Sequence, residues 1–231
     1  MTQKLDLTVE LAKTIMLFGS LKGEKARWGN TPMPDFKLEH CKEVGRVARV
    51  IAEACGLDGD KAEIFGLLHD VGCHQDMSAF HEIDGYKRLL ELGVDEEHAS
   101  ICLKHTYLNG DLNCGNGKPL LLQDGSINPE RTSFPWRNKE DEEIFRNLKN
   151  RVYSDYDYIV CLVDKMVSEK LMGFSERMDE LAVRYGKDLS QVKYHRQNCE
   201  RLLLGIETKM GCTMQDLFPE LRSGAALESS K

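Results

Sequence analysis

Histidine and aspartate recur in this chain where helical spacing turns them toward a core, and imidazole with carboxylate is a donor set for divalent metal ions. In "GLLHDVGCH", Gly66 to His74, His69 and Asp70 stand directly behind an apolar stretch. A buried carboxylate without compensation costs several kcal/mol, so it calls for a cation, a hydrogen-bond partner or water nearby. In "EHCKEVGRVARVIAEAC", Val44, Val47 and Ile51 form one stripe of a helix, and four residues before Val44 stands His40. Ala62, Phe65 and His69 share a face by the same arithmetic. Asp70 follows at the C-terminal end, where the helix dipole disfavours an anion and a cation is favoured. In "YIVCLVDK", Asp164 follows five consecutive apolar residues and stacks under Val160 and Cys161. In "ASICLKHT", His105 falls four residues beyond Ile101, and His81 opens "HEIDGYKRLLELG" at a helix start.

Taken singly, each has an ordinary reading. An inward histidine is usually a hydrogen-bonded core residue, and a carboxylate after an apolar run is often paired with a cation such as Lys165 or Lys104. Taken together, several inward histidines and two inward carboxylates on separate helices exceed what chance polar burial leaves. Neutral imidazole and carboxylate suit Mn, Fe, Co, Ni or Zn, with the oxygen ligands pulling toward Mn or Fe.

The elements that must position these residues are helices. Apolar residues recur at three- and four-residue spacing near 7–20, 37–56, 60–70, 80–92, 95–107, 138–149, 151–172, 175–186 and 188–210. The exception is 108–137, rich in Gly, Asn and Pro, which reads as a long loop or small hairpin and is long enough to suggest a functional segment. The expectation is therefore one all-α domain over 1–231, with a core of about 37–172, an insertion of about 108–137 and C-terminal helices over about 175–219. No internal repeat or heptad array appears, and the tail "RSGAALESSK" reads as disordered.

Composition narrows the partners. A chain of 231 residues can bury a sizeable core, and 41% apolar with 30% charged residues is ordinary for a globular protein. No apolar run is long enough to span a bilayer, and the N-terminus lacks the basic region and apolar block of a secretion signal, so a cytoplasmic location without membrane attachment is expected. The eight cysteines are scattered with no CxxC, which disfavours a thiolate zinc site or a disulfide framework and favours reduced core thiols. A net charge of −7 argues against nucleic acid as the main partner, but bound cations can reverse the field locally and admit a phosphorylated small molecule.

The order His40, His69-Asp70, Asp164, with "LLHDVG" and "VDK" as surroundings, resembles the H…HD…D signature of the HD-domain superfamily of metal-dependent phosphohydrolases. The resemblance spans about residues 37–172 and implies an all-α helical bundle. His81 in "HEIDG" and His105 in "KHT" resemble the additional histidines of dinuclear branches, and the six-residue set is similar to that of bacterial symmetrical dinucleoside tetraphosphatases. His81 follows His69 after a short loop that contains His74, so His74 stands as an alternative ligand. On this resemblance His40, His69, Asp70 and Asp164 hold one metal, and Asp70 bridges to a second held by His81 and His105. Two divalent ions are implied, Fe or Mn first, with Zn, Ni, Co or Mg as alternatives. A hydroxide formed from water between the metals would attack phosphorus, with Asp70 and His69 as the catalytic pair.

For the substrate, a nucleotide-type phosphate ester or anhydride, the candidate cations are Lys104, Lys165 and Arg131, with Lys118 and Arg137 beside the long loop. Trp28, Phe36 and Trp136 are candidates to stack a base, although single aromatics usually belong to a core or lid. His98 and Asp157 share faces with His105 and Asp164 and are candidates to support them, while His195 reads as helix surface. Two other readings share the ligand set: a mixed-valence diiron oxygenase of a small hydroxylated substrate, and a nucleotide-binding regulatory HD module. A homodimer is compatible with all three.

Overall fold

The periodic segments become helices, several of which begin at side-chain caps. Asp58 accepts a hydrogen bond from the Lys61 N–H to start α3 (Gly59–Leu68), and Asn138 accepts from the Asp141 N–H to start α7 (Lys139–Arg146). Ser154 and Asp157 form a reciprocal capping box at α8 (Asp155–Asp164). Each cap satisfies backbone donors that the first helical turn leaves open. The remaining helices are α1 (Val9–Phe18), α2 (Asp35–Ala54), α4 (His81–Glu91), α5 (Glu96–Ala99), α6 (Ile101–Lys104), α9 (Phe174–Arg184), α10 (Leu189–Met210) and α11 (Met214–Leu217). The computed structural model describes residues 5–18, 35–73, 80–113, 122–124, 126, 128–129, 136–184 and 189–222, the last of these with side chains from 196 onward. Among these residues no strand occurs, so the fold is all-α as the periodicity predicts.

The core lies where α2 and α3 run against each other, with α8 across both and α1 along the outer side of α3. Glycine sets the closeness of the first pair. A Cβ on Gly66 of α3 would stand 2.6 Å from the Cα of Gly45 on α2, so the two backbones touch where any larger residue would hold them apart. The buried stripe of α2 includes Val44, Val47 and Ile51, as expected, and His40 lies buried on the same helix. A second close approach follows α3: a Cβ on Gly72 would lie 1.9 Å from the carbonyl oxygen of His81, which presses the turn after Asp70 onto the start of α4.

Two segments differ from the sequence expectation. The helix expected over 151–172 spans only Asp155–Asp164. Beyond it the chain reverses, with Met172 N–H donating to Met166 O at 2.8 Å and Ser168 N–H to Lys170 O at 3.0 Å. Val167 and Leu171 are buried within this reversal rather than on a helical face, which is why apolar spacing ran past the true end. The segment 95–107 divides at Ser100 into α5 and α6. Within 108–137, Leu108–Gly110 is a 3-10 turn and Leu122 N–H meets Ser126 O at 2.8 Å, while most of the insertion and the tail from 223 lie outside the described residues. No described helix is long and apolar enough to cross a membrane. The described cysteines are free thiols, most of them buried.

Candidate metal centre

Three helices deliver four of the inward histidines and carboxylates to one place. His40 comes from α2, His69 and Asp70 from the end of α3, and Asp164 from the last position of α8. His40, His69, Asp70 and Asp164 each offer a donor atom, and those four atoms lie within 4.8 Å of one another. His40 Nε2 is 3.1 Å from Asp164 Oδ1 and 3.3 Å from His69 Nε2. His69 is wholly buried and the Asp70 side chain is 3% exposed.

Asp70 has two distinct faces. Its Oδ2 lies 3.4 Å from His69 Nε2 and 3.8 Å from His40 Nε2, and it accepts a hydrogen bond from the Lys37 ammonium. Its Oδ1 lies 3.5 Å from His81 Nε2 and 3.5 Å from His105 Nε2. The ring of His105 stands between the other two, 5.0 Å from that of His69 and 5.6 Å from that of His81.

The outer nitrogens of the rings are occupied by backbone. His40 Nδ1 is 3.0 Å from Ser168 O, His69 Nδ1 is 2.7 Å from Gly66 O, and His105 Nδ1 is 3.2 Å from Ile101 O. A carbonyl only accepts, so each contact places a proton on Nδ1 and turns Nε2 toward the cluster, where loss of any proton it carries would free the lone pair a metal ligand needs. The chain reversal after α8 thus has a local consequence, because it brings the Ser168 carbonyl to His40.

Electrostatics agree with a centre built for positive charge. Burial opposes ionisation of Asp70, but Lys37 and His69 hold its carboxyl well below the usual carboxylate range. Asp164 behaves in the same way against burial, held ionised by Lys165 and by the two neighbouring histidines. Burial works against a charge on His69, yet Asp70 and Asp164 raise its pKa to about 9. His105 is pushed down, chiefly by burial and also by the charge on His69, toward its neutral form. Two buried carboxylates are thus balanced by ammonium and imidazolium groups in positions a divalent cation would serve equally.

Residues 38–168 match the family HD domain, more than half of the sequence. The chain belongs to the HD domain family. HD domains are in general metal-dependent phosphohydrolases. No curated protein and no solved structure matches the chain. The residues present fit the metal that this HD family implies, since imidazole rings held through Nδ1 and ionised carboxylates converge on one point.

The other sequence candidates lie as follows. Lys165 joins the cluster, its ammonium donating to Asp164 Oδ2. Lys104 does not: it is 5% exposed, and its Nζ donates to Asp157 Oδ2 at 3.0 Å, a buried ion pair that also ties α6 to the cap of α8. Asp157 therefore serves Lys104 and the helix start rather than Asp164. His98 hydrogen-bonds Asp95 at 2.8 Å and packs on Phe65, away from His105. Arg137 donates to Asp84 and lies over the Phe80 ring, its side chain 38% exposed. Trp136 packs near Phe145, and Phe36 is exposed. His74, Trp28, Lys118 and Arg131 lie outside the described residues, as does the side chain of His195.

Sequence reasoning passed over Lys37, although it stands three residues before His40 on α2 and so shares its face. It also passed over Glu82, 4% exposed beside His81, and treated Cys73 only as a core thiol. The carbonyls of Gly66, Ile101 and Ser168 left no signal, because every residue has one.

Proposed function

We propose that this HD domain hydrolyses a phosphate ester or phosphoanhydride of a nucleotide, using two divalent cations of iron or manganese, as in the dinucleoside tetraphosphatase branch it resembles. The observation that carries this reading is the division of Asp70, with Oδ2 toward His40 and His69 and Oδ1 toward His81 and His105. One carboxylate shared in this way suits two cations and exceeds what a single ion pair requires.

On this reading His40, His69, Asp164 and Asp70 Oδ2 hold one ion, and His81, His105 and Asp70 Oδ1 hold the other. Bound divalent ions supply Lewis acidity and make water a nucleophile at neutral pH. The chain's own part is positional. The Nδ1 contacts to Ser168, Gly66 and Ile101 lock three rings. Lys37 and Lys165, which neutralise Asp70 and Asp164, are placed to bind phosphoryl oxygens once cations take over those carboxylates. His81, 24% exposed, marks the accessible side, and Arg137 stands beyond it near Asp84, where a further phosphate of a longer substrate would lie. Neither Ser nor Cys is needed as nucleophile.

The experiment is a phosphate-release screen over nucleoside mono-, di- and triphosphates and dinucleoside polyphosphates, with anaerobically prepared protein loaded with iron or manganese. Release from at least one class, abolished by chelator and restored by metal, is the expected result. Fully loaded protein that releases phosphate from none of them overturns the proposal.

A further inference from the structure

Cys73 is a buried thiol that does not belong to the apolar core. Cys41 and Cys102 pack within the main hydrophobic cluster, whereas Cys73, 3% exposed, lies outside it. Two backbone features put it there. The Cys73 N–H donates to Asp70 O at 2.8 Å, closing the turn after α3, and the tight seating of Gly72 on His81 O brings that turn against the first residue of α4. As a result Asp70, Cys73 and His81 each present a donor atom within 4.8 Å of the others.

An independent observation stands beside this trio. The Glu82 side chain is 6% exposed, and its Oε2 has no hydrogen-bond partner among the described residues. That oxygen lies 3.2 Å from His81 Nδ1, on the side of the ring away from Asp70. A buried carboxylate left in this state is costly unless charge is added nearby. A cation on His81 Nε2 would add it, by strengthening the Nδ1–H that Glu82 faces, in the manner of a carboxylate–histidine–metal relay.

We propose that Cys73 is a thiolate ligand of the second pocket, alongside Asp70 Oδ1, His81 and His105, with Glu82 as the residue that orients His81. The pocket is then mixed N, O and S in character, and it favours zinc, cobalt or ferrous iron over magnesium, calcium or manganese. The thiol proton leaves to solvent as the metal binds, so occupancy of this pocket releases a proton that the all-nitrogen and oxygen pocket around His40 does not need to release from sulfur. This inference rests on the two-cation reading above and adds to it the identity of one ligand and the class of metal.

The test is anaerobic titration of the metal-free full chain with cobalt(II), followed by electronic absorption. In the wild type an intense near-ultraviolet thiolate-to-cobalt band should rise with one of two bound equivalents. In Cys73→Ser that band should vanish, while the weak visible ligand-field absorption of the other equivalent persists and the affected site weakens by at least about tenfold. Two bound cobalt ions with no thiolate band, or a band that survives in Cys73→Ser, would overturn the assignment and leave the two-cation reading intact. Failure to bind cobalt at all would overturn both. Should Cys73→Ser not fold, X-ray absorption of zinc-loaded wild type decides instead: sulfur scattering at about 2.3 Å is expected, and nitrogen and oxygen alone at about 2.0–2.2 Å would contradict it.

Discussion

At the scale of single residues, Asp70 is the group on which the reading turns, because four histidines and Lys37 all address it. Asp70→Ala should lower phosphate release by several orders of magnitude. In chelator it should also cost about 3–5 kcal/mol, since Lys37 and His69 lose the charge they face. The discriminating comparison is the thermal melt with and without manganese: wild type should gain stability by mass action and the variant should not. An equal gain in both would contradict a ligand role. The lysines separate in the same way. Lys104→Met strands the buried Asp157 and should cost about 3–5 kcal/mol while leaving KM unchanged. Lys37→Met should raise KM for a phosphorylated substrate by roughly ten- to hundredfold, the scale of one charged hydrogen bond. Steady-state kinetics showing the reverse pattern would remove Lys37 from substrate binding. Helical arithmetic was enough to turn His40, His69, Asp164 and His105 inward from sequence. It could not show that Lys37 competes for Asp70 or that Lys104 prefers Asp157, since those choices depend on which helices meet.

At the scale of elements, the crossing of α2 and α3 sets the distance between His40 and His69. Gly66→Ala would place a methyl 2.6 Å from the Gly45 Cα, so the helices must separate. The expected cost is about 1–3 kcal/mol, with metal affinity falling in the folded protein. Calorimetric titration of metal into Gly66→Ala giving wild-type affinity would show that the crossing does not position the site. The junction of α4 with α7 offers a pH test. Asp141 is fully buried, and although burial opposes its ionisation, hydrogen bonds from Lys87 and the Arg137 N–H hold its carboxyl below the ordinary aspartate range. Its folded pKa is thus depressed, so its stabilisation is complete above the unfolded value of about 3.9 and is lost as pH falls below that toward the folded pKa. Asp141→Asn should therefore be less stable than wild type at pH 6, with the gap narrowing below about pH 4, as read from urea unfolding at each pH. A gap independent of pH would assign the loss to packing. The apolar spacing places the start of α8 four residues too early and its end eight too late, because Met166, Val167 and Leu171 continue an apolar pattern that the structure buries in a chain reversal. That reversal is not incidental, since it delivers the Ser168 carbonyl to His40.

At the scale of the whole molecule, an all-α scaffold brings α2, α3, α4, α6 and α8 to one cluster, and the chain belongs to a family whose members generally use metal to hydrolyse phosphate compounds. The charge of −7 is no obstacle to an anionic substrate if the cluster binds two divalent ions, which together with Lys37 and Lys165 make the site itself positive. Sequence order exposed this much because the H…HD…D signature depends on which helix each ligand occupies. The insertion and the substrate's outline were not legible, because Gly- and Asn-rich loops carry no periodicity to read. The central claim is that Asp70 joins two metals, and the most direct measurement is anomalous diffraction from crystals of iron-loaded protein. Two anomalous peaks about 3.5–4 Å apart, one against Asp70 Oδ2 with His40, His69 and Asp164 and one against Oδ1 with His81 and His105, is the predicted result. A single peak on the His40 side, with His81 and His105 free of metal at saturating concentration, would contradict it.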